Sequence, residues 1–282
     1  MRMTIFLRQS EAGDRRRHDR LPCEIGVELQ IGATAVRGRT ADLSEGGMLV
    51  RVDDMRPIGE FALLQAKING IGTTRVRVAN LSSLGMHLEF LEMSPAVRAE
   101  LERKLSSIRE ENREIISRAI DVANDISRVL ERLVQEGKLT QDDLFDNDYI
   151  AIEGTDPLQH RTRFLSAVED VLPPIQEALL ASDSRMVFCV AVDRNAYLPV
   201  HNRKYSLPQR PGETAWNTAN SRNRRIFDDR AGLAAARNVR PYIIQVYPRD
   251  MGNGVTIMMR EIDAPIRVFG KHWGGFRSAY NL

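Results

Sequence analysis

The side chains best suited to chemistry lie in two short stretches near the N-terminus. The first is a run of arginines in a polar leader, at Arg16, Arg17 and Arg20. A guanidinium group binds phosphate oxygens as a bidentate fork, and its plane stacks on a nucleobase. The run therefore indicates an anion-binding site, although a basic run at a terminus is also typical of a solvated tail.

The second stretch is a turn at residues 42–47. Asp42 carries a carboxylate that only accepts hydrogen bonds, which suits the paired N–H donors on a guanine edge. Ser44 adds a short hydroxyl, and Gly47 leaves room for a ligand to approach the backbone. With the arginines, these residues predict a site for a compact anionic ligand that contains guanine. Taken alone, an Asp-x-Ser turn usually caps its own backbone.

Short strands must position these two stretches. Six β-like runs separated by turns occupy residues 24–91, with no helical stretch among them. Apolar and polar residues alternate around Val76 and Val78, and again around Leu88 and Phe90. Six short strands in about 70 residues predict a small antiparallel β-barrel.

In this order and about 22 residues apart, the two stretches resemble the signature of the PilZ family over roughly residues 14–92. The R-x-x-x-R half of that signature is Arg16 and Arg20. The D/N-x-S-x-x-G half consists of Asp42, Ser44 and Gly47.

The resemblance implies a β-barrel at residues 14–93 that binds cyclic di-GMP, preceded by a flexible leader at residues 1–13. PilZ domains fold their arginine-bearing leader over the nucleotide. Arg16 and Arg20, with Arg17 beside them, are then expected to hold phosphates and guanine faces. Asp42 and Ser44 are expected to read a guanine, with Gly47 completing the motif.

A single long helix is predicted at residues 94–138, because no Pro or Gly interrupts it after its first turn. Its apolar residues alternate four and three apart, which is typical of a coiled-coil seam. The seam positions are Leu101, Leu105, Ile108, Asn112, Ile115, Ala119, Val122, Ile126, Val129 and Leu133. Asn112 at a seam position favours a homodimer. The alternative is a helix packed across its own domains, and the wider apolar stripe after Ile115 suits such docking.

The remaining segment, residues 139–282, reads as an α+β domain of the PAS/Cache kind. We expect an amphipathic helix broken at Pro173 and Pro174, two strands, a polar insertion with short helices, and a closing three-stranded meander. The short helices are predicted around residues 222–227 and 231–237.

The amino-acid sequence of this segment resembles a C-terminal module of bacterial cytoplasmic chemoreceptors. No ligand is established for that module. Ala196 stands where that pattern commonly has a glycine, and the glutamate-rich signalling hairpin of those receptors is missing. The resemblance rests on the segments VFCVAVDRNAYLPVHN, ANSRNRRIFDDRAGLAAARN, QVYPRDMGNG and APIRVFGKHWGGFRSAY.

A second candidate ligand pocket follows from the charged residues of this segment. Its members are His201, Arg222, Arg225, Arg249 and His272. The arginines suit an anion pocket, but pairing with nearby aspartates at positions 228, 229 and 250 is the slightly favoured alternative. Each histidine is a candidate axial haem ligand, although a lone histidine more often has a structural role.

The composition and motifs of the chain exclude several classes of function. The chain has 282 residues and a net charge of +2, which gives no overall field for nucleic acid. No apolar run approaches the length that spans a bilayer, so we expect a cytoplasmic protein without membrane insertion. Its two cysteines are far apart in sequence. Nucleophile, phosphate-loop and zinc motifs are missing. We therefore expect no enzyme activity, metal or haem.

These observations predict a cyclic di-GMP effector that couples the nucleotide to a sensory or partner-binding module. Its partner would be an unknown protein in control of motility, adhesion or chemotaxis. The alternative is an interaction protein with a degenerate barrel, whose C-terminal module binds a small molecule or a partner, or less readily haem.

Overall fold

A computed structural model of the chain describes residues 2–4, 20–52, 59–82 and 84–281. Its contacts group into two compact units. The barrel unit comprises Arg16–Glu114 and Ile244–Val246, and the C-terminal unit comprises Met1–Arg15, Ile115–Ile243 and Tyr247–Leu282.

The first strand of the chain, β1 (Arg2–Thr4), belongs to the C-terminal unit. The barrel unit is built from the short strands that follow it. The strands are β2 (Leu21–Pro22), β3 (Gly26–Ile31), β4 (Thr34–Leu43), β5 (Gly47–Val52), β6 (Leu63–Ile68), β7 (Gly72–Ser82) and β8 (Gly85–Glu92). Their order is β2-β4-β3-β6-β7-β8-β5, and β5 also pairs with β4. This last pairing closes a six-stranded antiparallel barrel, so the predicted barrel is confirmed.

The alternation of side chains explains why these runs close around one core. In β6, Leu64, Ala66 and Ile68 are buried, whereas their neighbours in sequence face solvent. The same period of two recurs in β3 and β7. The inward residues form the barrel interior, and the outward ones include the charged Lys67, Arg75 and Arg77.

The connector helix, α1, spans Pro95–Gln135 without a break. Most of the seam is already buried in the single chain, including Leu101, Leu105, Ile108, Asn112, Ile115, Ala119, Ile126 and Leu133. Val122 and Val129 are only half-buried, and Ile116, Ala123 and Leu130 beside them are buried instead. A straight helix drifts about 20° per heptad from a strict seven-residue repeat, so the buried stripe migrates along α1.

Each half of α1 contacts its own unit. In the barrel unit, Arg109 Nη2 lies 3.5 Å from Glu45 Oε1. In the C-terminal unit, Glu131 Oε1 accepts a hydrogen bond from the Phe269 amide at 2.7 Å. The alternative prediction, a helix packed across its own domains, therefore explains how the apolar stripe is covered. The Asn112 amide donates to a carbonyl in its own helix, and dimerisation through the seam stays a prediction.

The C-terminal unit mixes strands and helices. Its elements are α2 (Gln141–Leu144), β9 (Asp148–Ile152), β10 (Gln159–Arg161), α3 (Leu165–Ser182), β11 (Met186–Asp193), β12 (Tyr197–Leu198), a 3₁₀-helix (Arg203–Tyr205), α4 (Thr214–Asn220), β13 (Arg225–Ile226), α5 (Arg230–Ala236), β14 (Ile243–Asp250), β15 (Thr256–Val268) and β16 (Lys271–Asn281). The main antiparallel sheet has the order β11-β16-β15-β14, and α3 packs on β11.

Several local predictions for this unit are wrong. The helix α3 runs through Pro173 and Pro174 without a break, because its buried face, with Leu172 and Leu179, packs on both sides of the prolines. The helix expected at residues 222–227 is the short strand β13. Its neighbour Arg224 has a left-handed φ of 60°, which interrupts a helix.

Two small strands also fall where the sequence indicated other structure. β1 pairs with β9, so residues 2–4 of the expected flexible leader are part of a sheet, and the remainder of that leader lies outside the described residues. β10 occupies the expected start of the helix that becomes α3. Ala196 has a φ of 62°, which explains why glycine suits that turn.

The carboxylate of Asp183 fixes α1 to the C-terminal unit. It is buried and accepts hydrogen bonds from Arg118 of α1 at 2.7 Å and from Arg185 at 2.7 and 2.9 Å. The hydrogen bonds from Arg185 and then from Arg118 outweigh burial and hold the pKa of Asp183 well below its ordinary value. The ionised form of Asp183 therefore stabilises the fold.

We predict that Asp183→Asn lowers the free energy of unfolding at pH 7 by roughly 1.5–3 kcal/mol, because hydrogen bonds to a charged group are lost. A depressed pKa stabilises the fold above the unfolded-state pKa of about 4, and this contribution declines as the pH falls below it. The difference between variant and wild type should therefore shrink at pH 3. Urea unfolding at both pH values tests this, with the exposed Asp170→Asn as control. An unchanged difference at pH 3 contradicts it.

Candidate functional site

The described part of the N-terminal site centres on an ion pair. Arg20 Nη1 lies 3.0 Å from Asp42 Oδ1 and 3.4 Å from Oδ2. Both side chains keep some contact with solvent, at 22% and 13% exposure. The structure therefore brings together one residue from each half of the sequence signature.

A short strand pairing positions Arg20. In the ladder between β2 and β4, Leu21 lies opposite Leu43 and Pro22 lies opposite Asp42. The Thr40 hydroxyl reinforces the junction, since it donates to the Cys23 carbonyl at 2.5 Å and accepts from the amide of residue 25 at 2.9 Å. The end of the leader is thereby tied to the strand that carries Asp42.

A β-bulge positions Asp42. Thr40 pairs with Val50 and Asp42 pairs with Leu49, so that Ala41 is an extra residue in β4. An extra residue inverts the alternation of side chains. Leu43 consequently enters the barrel core, where it is fully buried, and Asp42 stays at the surface beside Arg20.

The Asp42 carboxylate retains acceptor capacity. Oδ1 receives the Arg20 guanidinium and the Leu49 amide, the latter at 3.1 Å. The only hydrogen bond to Oδ2 among the described residues is the long one from Arg20. A carboxylate has about four lone-pair positions, so Asp42 can pair with Arg20 and still accept N–H donors from a ligand.

Ser44 and Gly47 hold the turn itself. The Ser44 hydroxyl donates to the Gly47 carbonyl at 3.0 Å and accepts from the Gly47 amide at 3.1 Å. A Cβ atom on Gly47 would lie 2.2 Å from the Leu88 carbonyl oxygen. The space that the sequence suggested for a ligand at Gly47 is therefore occupied by the backbone of β8, and both residues act on the backbone of the turn. Arg16 and Arg17 lie outside the described residues.

Four of the five predicted C-terminal residues line one cavity of ≈ 220 Å³. It is lined by side chains from β11, β14 and β16 and from the segment between β12 and α5. The predicted members are His201, Arg222, Arg225 and Arg249. Sequence reasoning missed the rest of the lining, which includes Phe188, Phe227, Tyr247 and Arg277.

The arginines of this cavity do not pair with the nearby aspartates. Arg222 Nη1 donates to the main-chain carbonyls of Thr218 and Asp250 at 2.8 and 2.9 Å. The Asp229 carboxylate caps α5, and the Asp250 carboxylate accepts from the Gly252 amide. Among the described residues, neither Arg222, Arg225 nor Arg249 forms an ion pair, so the structure contradicts the aspartate-pairing alternative.

The two candidate haem ligands are engaged elsewhere. The Asn202 amide donates to His201 Nδ1 at 2.7 Å, and burial together with Arg249 lowers the pKa of His201 well below its ordinary value. His272 lies away from the cavity, where its Nε2 is 2.8 Å from the Ala236 carbonyl. The cavity is also smaller than the 300–1,000 Å³ or so of pockets for drug-sized ligands. These positions do not suit a haem.

Two further properties concern metals and membranes. The described residues contain no group of three or more His, Cys, Asp or Glu side chains arranged to hold a metal ion. Within the same part of the chain, no helix combines the length and the apolar character needed to cross a membrane.

Comparisons with known proteins match the N-terminal part of the chain. Residues 14–107 match the family model of the PilZ domain. No curated protein matches the chain.

Three solved structures from two bacteria are similar over about a third of it. The PilZ domain of YcgR from Escherichia coli, with c-di-GMP, is 21% identical, covers 36% of this chain and 95% of its own, and has a TM-score of 0.30. A second structure of E. coli YcgR, in complex with c-di-GMP, gives 24% identity, coverages of 37% and 50%, and a TM-score of 0.30. The Bacillus subtilis inhibitor of motility MotI/DgrA gives 22%, coverages of 33% and 52%, and a TM-score of 0.29. The chain thus spans about half the length of these last two. Structural similarity at these TM-scores does not indicate a shared function.

We predict that Gly47→Ala destabilises the barrel by roughly 1–3 kcal/mol, because the added methyl group meets the backbone of β8 and overpacks the site. Chemical unfolding measures the change. Gly59→Ala is the matched control, since nothing lies within 4 Å of an added Cβ there. Equal stability of the two variants would show that the space at Gly47 is open.

Proposed function

We propose that the PilZ domain formed by the N-terminal part of this chain binds cyclic di-GMP and that the chain is a non-enzymatic effector of this nucleotide. The match of residues 14–107 to the PilZ model supports the ligand class. The observation that carries the proposal to particular residues is the contact between Arg20 and Asp42, at 3.0 Å. It joins the leader to the barrel at the position where both halves of the signature meet.

The chemistry of this pair suits a guanine and its phosphates. In the proposal, the Asp42 carboxylate accepts the paired N–H donors of a guanine edge, and the bulge in β4 presents it at the surface for this purpose. Arg20 stacks on a base or forks onto phosphate oxygens while its contact with Asp42 orients it. Arg16 and Arg17 supply further guanidinium groups from the leader. Ser44 and Gly47 contribute by holding the turn.

The connector α1 is the proposed route from the nucleotide to the rest of the chain. Glu45 belongs to the turn that carries the motif, and its carboxylate lies 3.5 Å from Arg109 of α1. A ligand that reorders this turn changes the environment of that contact. Because α1 continues unbroken into the C-terminal unit, its position is the proposed carrier of the signal to that PAS/Cache-like module. A dimer is not needed for this, since most of the seam is buried in one chain.

The second candidate function is an interaction protein whose barrel has lost the nucleotide. One observation favours it, because the Ser44 hydroxyl is committed to the backbone of its own turn. In that case, the C-terminal unit is the binding module. The two functions differ in whether purified wild-type protein takes up the nucleotide at all.

We predict that Arg20→Ala weakens cyclic di-GMP binding at least about tenfold, because it removes a charged donor and releases Asp42 from its fixed position. Isothermal titration calorimetry of the full chain measures this. Arg39→Ala is the matched control, since Arg39 also extends from the barrel surface and pairs with an exposed carboxylate, that of Glu24. Its affinity should equal that of wild type.

Two outcomes contradict the proposal in different ways. Equal affinity of wild type and Arg20→Ala would remove Arg20 from the site while leaving nucleotide binding intact. An absence of binding by wild type, in both calorimetry and thermal unfolding with the nucleotide, would leave the interaction protein as the better account.

A further inference from the structure

The cavity of the C-terminal unit contains an arginine that the protein itself does not satisfy. Arg249 is 2% exposed. Its Nε, Nη1 and Nη2 atoms are buried, and none of them has a hydrogen-bond partner among the described residues. Burial lowers the pKa of this guanidinium, and the nearby Tyr205, Tyr247 and Glu261 offset only part of that effect, yet an arginine stays charged in proteins. A buried charge without a partner is destabilising, so its presence here calls for a function.

Aromatic rings hold the Arg249 guanidinium in place. It lies 4.6 Å from the centroid of Phe188 and 4.3 Å from that of Tyr205. Cation–π contacts of this kind orient a guanidinium through its faces. They leave its N–H groups, which lie in the plane of the group, available to a ligand.

Other cationic groups line the same cavity. Arg222 and Arg225 both lie 4.9 Å from the centroid of Phe227. Burial lowers the pKa of Arg222 to about 9 and that of Arg225 to about 10, so both are charged at neutral pH. Arg277 differs, because Glu261 neutralises it through hydrogen bonds of 2.6 and 2.8 Å. Among the described residues, Arg222, Arg225 and Arg249 form no ion pair, although Asp228, Asp229 and Asp250 also line the cavity and Asp250 favours the charged form of Arg225.

The rest of the lining selects among anions. Phe188, Leu198 and Ile226 present apolar surface to the cavity. A fully hydrated inorganic ion gains nothing from such walls, whereas an organic acid buries its carbon skeleton against them. The ≈ 220 Å³ of the cavity equals the volume of about seven water molecules. It suits a small metabolite.

We propose that this cavity binds a small organic acid, with the carboxylate held by Arg249 and its charge shared with Arg222 and Arg225. The bidentate match between guanidinium and carboxylate orients the ligand, and the aromatic floor receives its apolar part. This site is separate from the proposed nucleotide site and does not depend on it.

Thermal unfolding and calorimetry of the full chain with defined probes test the proposal. The probes are acetate, succinate and benzoate, with acetamide, succinamide and benzamide as uncharged analogues and inorganic phosphate as a carbon-free anion. We expect at least one carboxylate to raise the melting temperature saturably by several degrees, and its amide to have no effect. Binding of no carboxylate, equal binding of acid and amide, or binding of phosphate alone overturns the proposal.

The decisive variant is Arg249→Met, which keeps an unbranched side chain and removes the charge. It should weaken binding of the carboxylate at least about tenfold and raise the melting temperature of the ligand-free protein, since an unpartnered buried charge is gone. The matched control is Arg161→Met, an exposed arginine of the same unit, which should change neither quantity.

Undiminished carboxylate binding by Arg249→Met overturns the proposal. Arg20→Ala should bind the carboxylate like wild type, which separates this test from that of the nucleotide site.

Discussion

The burial of one apolar stripe on α1 is the constraint on which the architecture depends. A 41-residue helix cannot cover its own apolar face, and a helix within a protein draws most of its stability from tertiary packing. The first half of the stripe is assigned to the barrel unit, and the second half is assigned to the C-terminal unit. One secondary-structure element therefore completes two cores.

Backbone geometry has a comparable part in the proposed nucleotide site. The bulge at Ala41 decides which face of β4 carries Asp42. Gly47 is needed where β5 passes the Leu88 carbonyl of β8. Ser44 is bonded to both polar groups of Gly47. Part of what reads in sequence as a ligand signature is thus the requirement of a tight turn, and among its described residues Asp42 is the one whose side chain retains acceptor capacity.

The sequence predicts those features that depend on local pattern. The alternation of apolar and polar residues predicted the barrel strands. The absence of Pro or Gly in the body of the helix predicted α1. It also led to His201, Arg222, Arg225 and Arg249, since arginines near a histidine in an apolar context are a local signal. It did not predict what covers the α1 stripe, because periods of 3.5 and 3.6 residues place nearly the same positions on one face over a few turns.

Long-range pairings account for the other misses. Pro173 and Pro174 stay inside α3 because the helix packs on β11, which a local propensity does not include. Phe188, Tyr247 and Arg277 reach the cavity only through the strand order β11-β16-β15-β14. Isolated hydrophobic or charged residues in strands give no signal that they share a cavity. Sequence spacing cannot show this order, since the strands are far apart along the chain.

The two sites solve the same electrostatic problem in opposite ways. Arg20 is partly exposed and paired with Asp42, so the barrel keeps its arginine at little cost in the absence of a ligand. Arg249 is buried and unpaired, so the C-terminal unit carries an unfavourable charge until an anion arrives. Binding at the first site must compete with an existing ion pair, and binding at the second relieves a destabilised state. A ligand of the second site therefore contributes stability to the unit that also contains the second half of α1. Occupancy of that cavity and the packing of the connector are linked through the stability of the same domain.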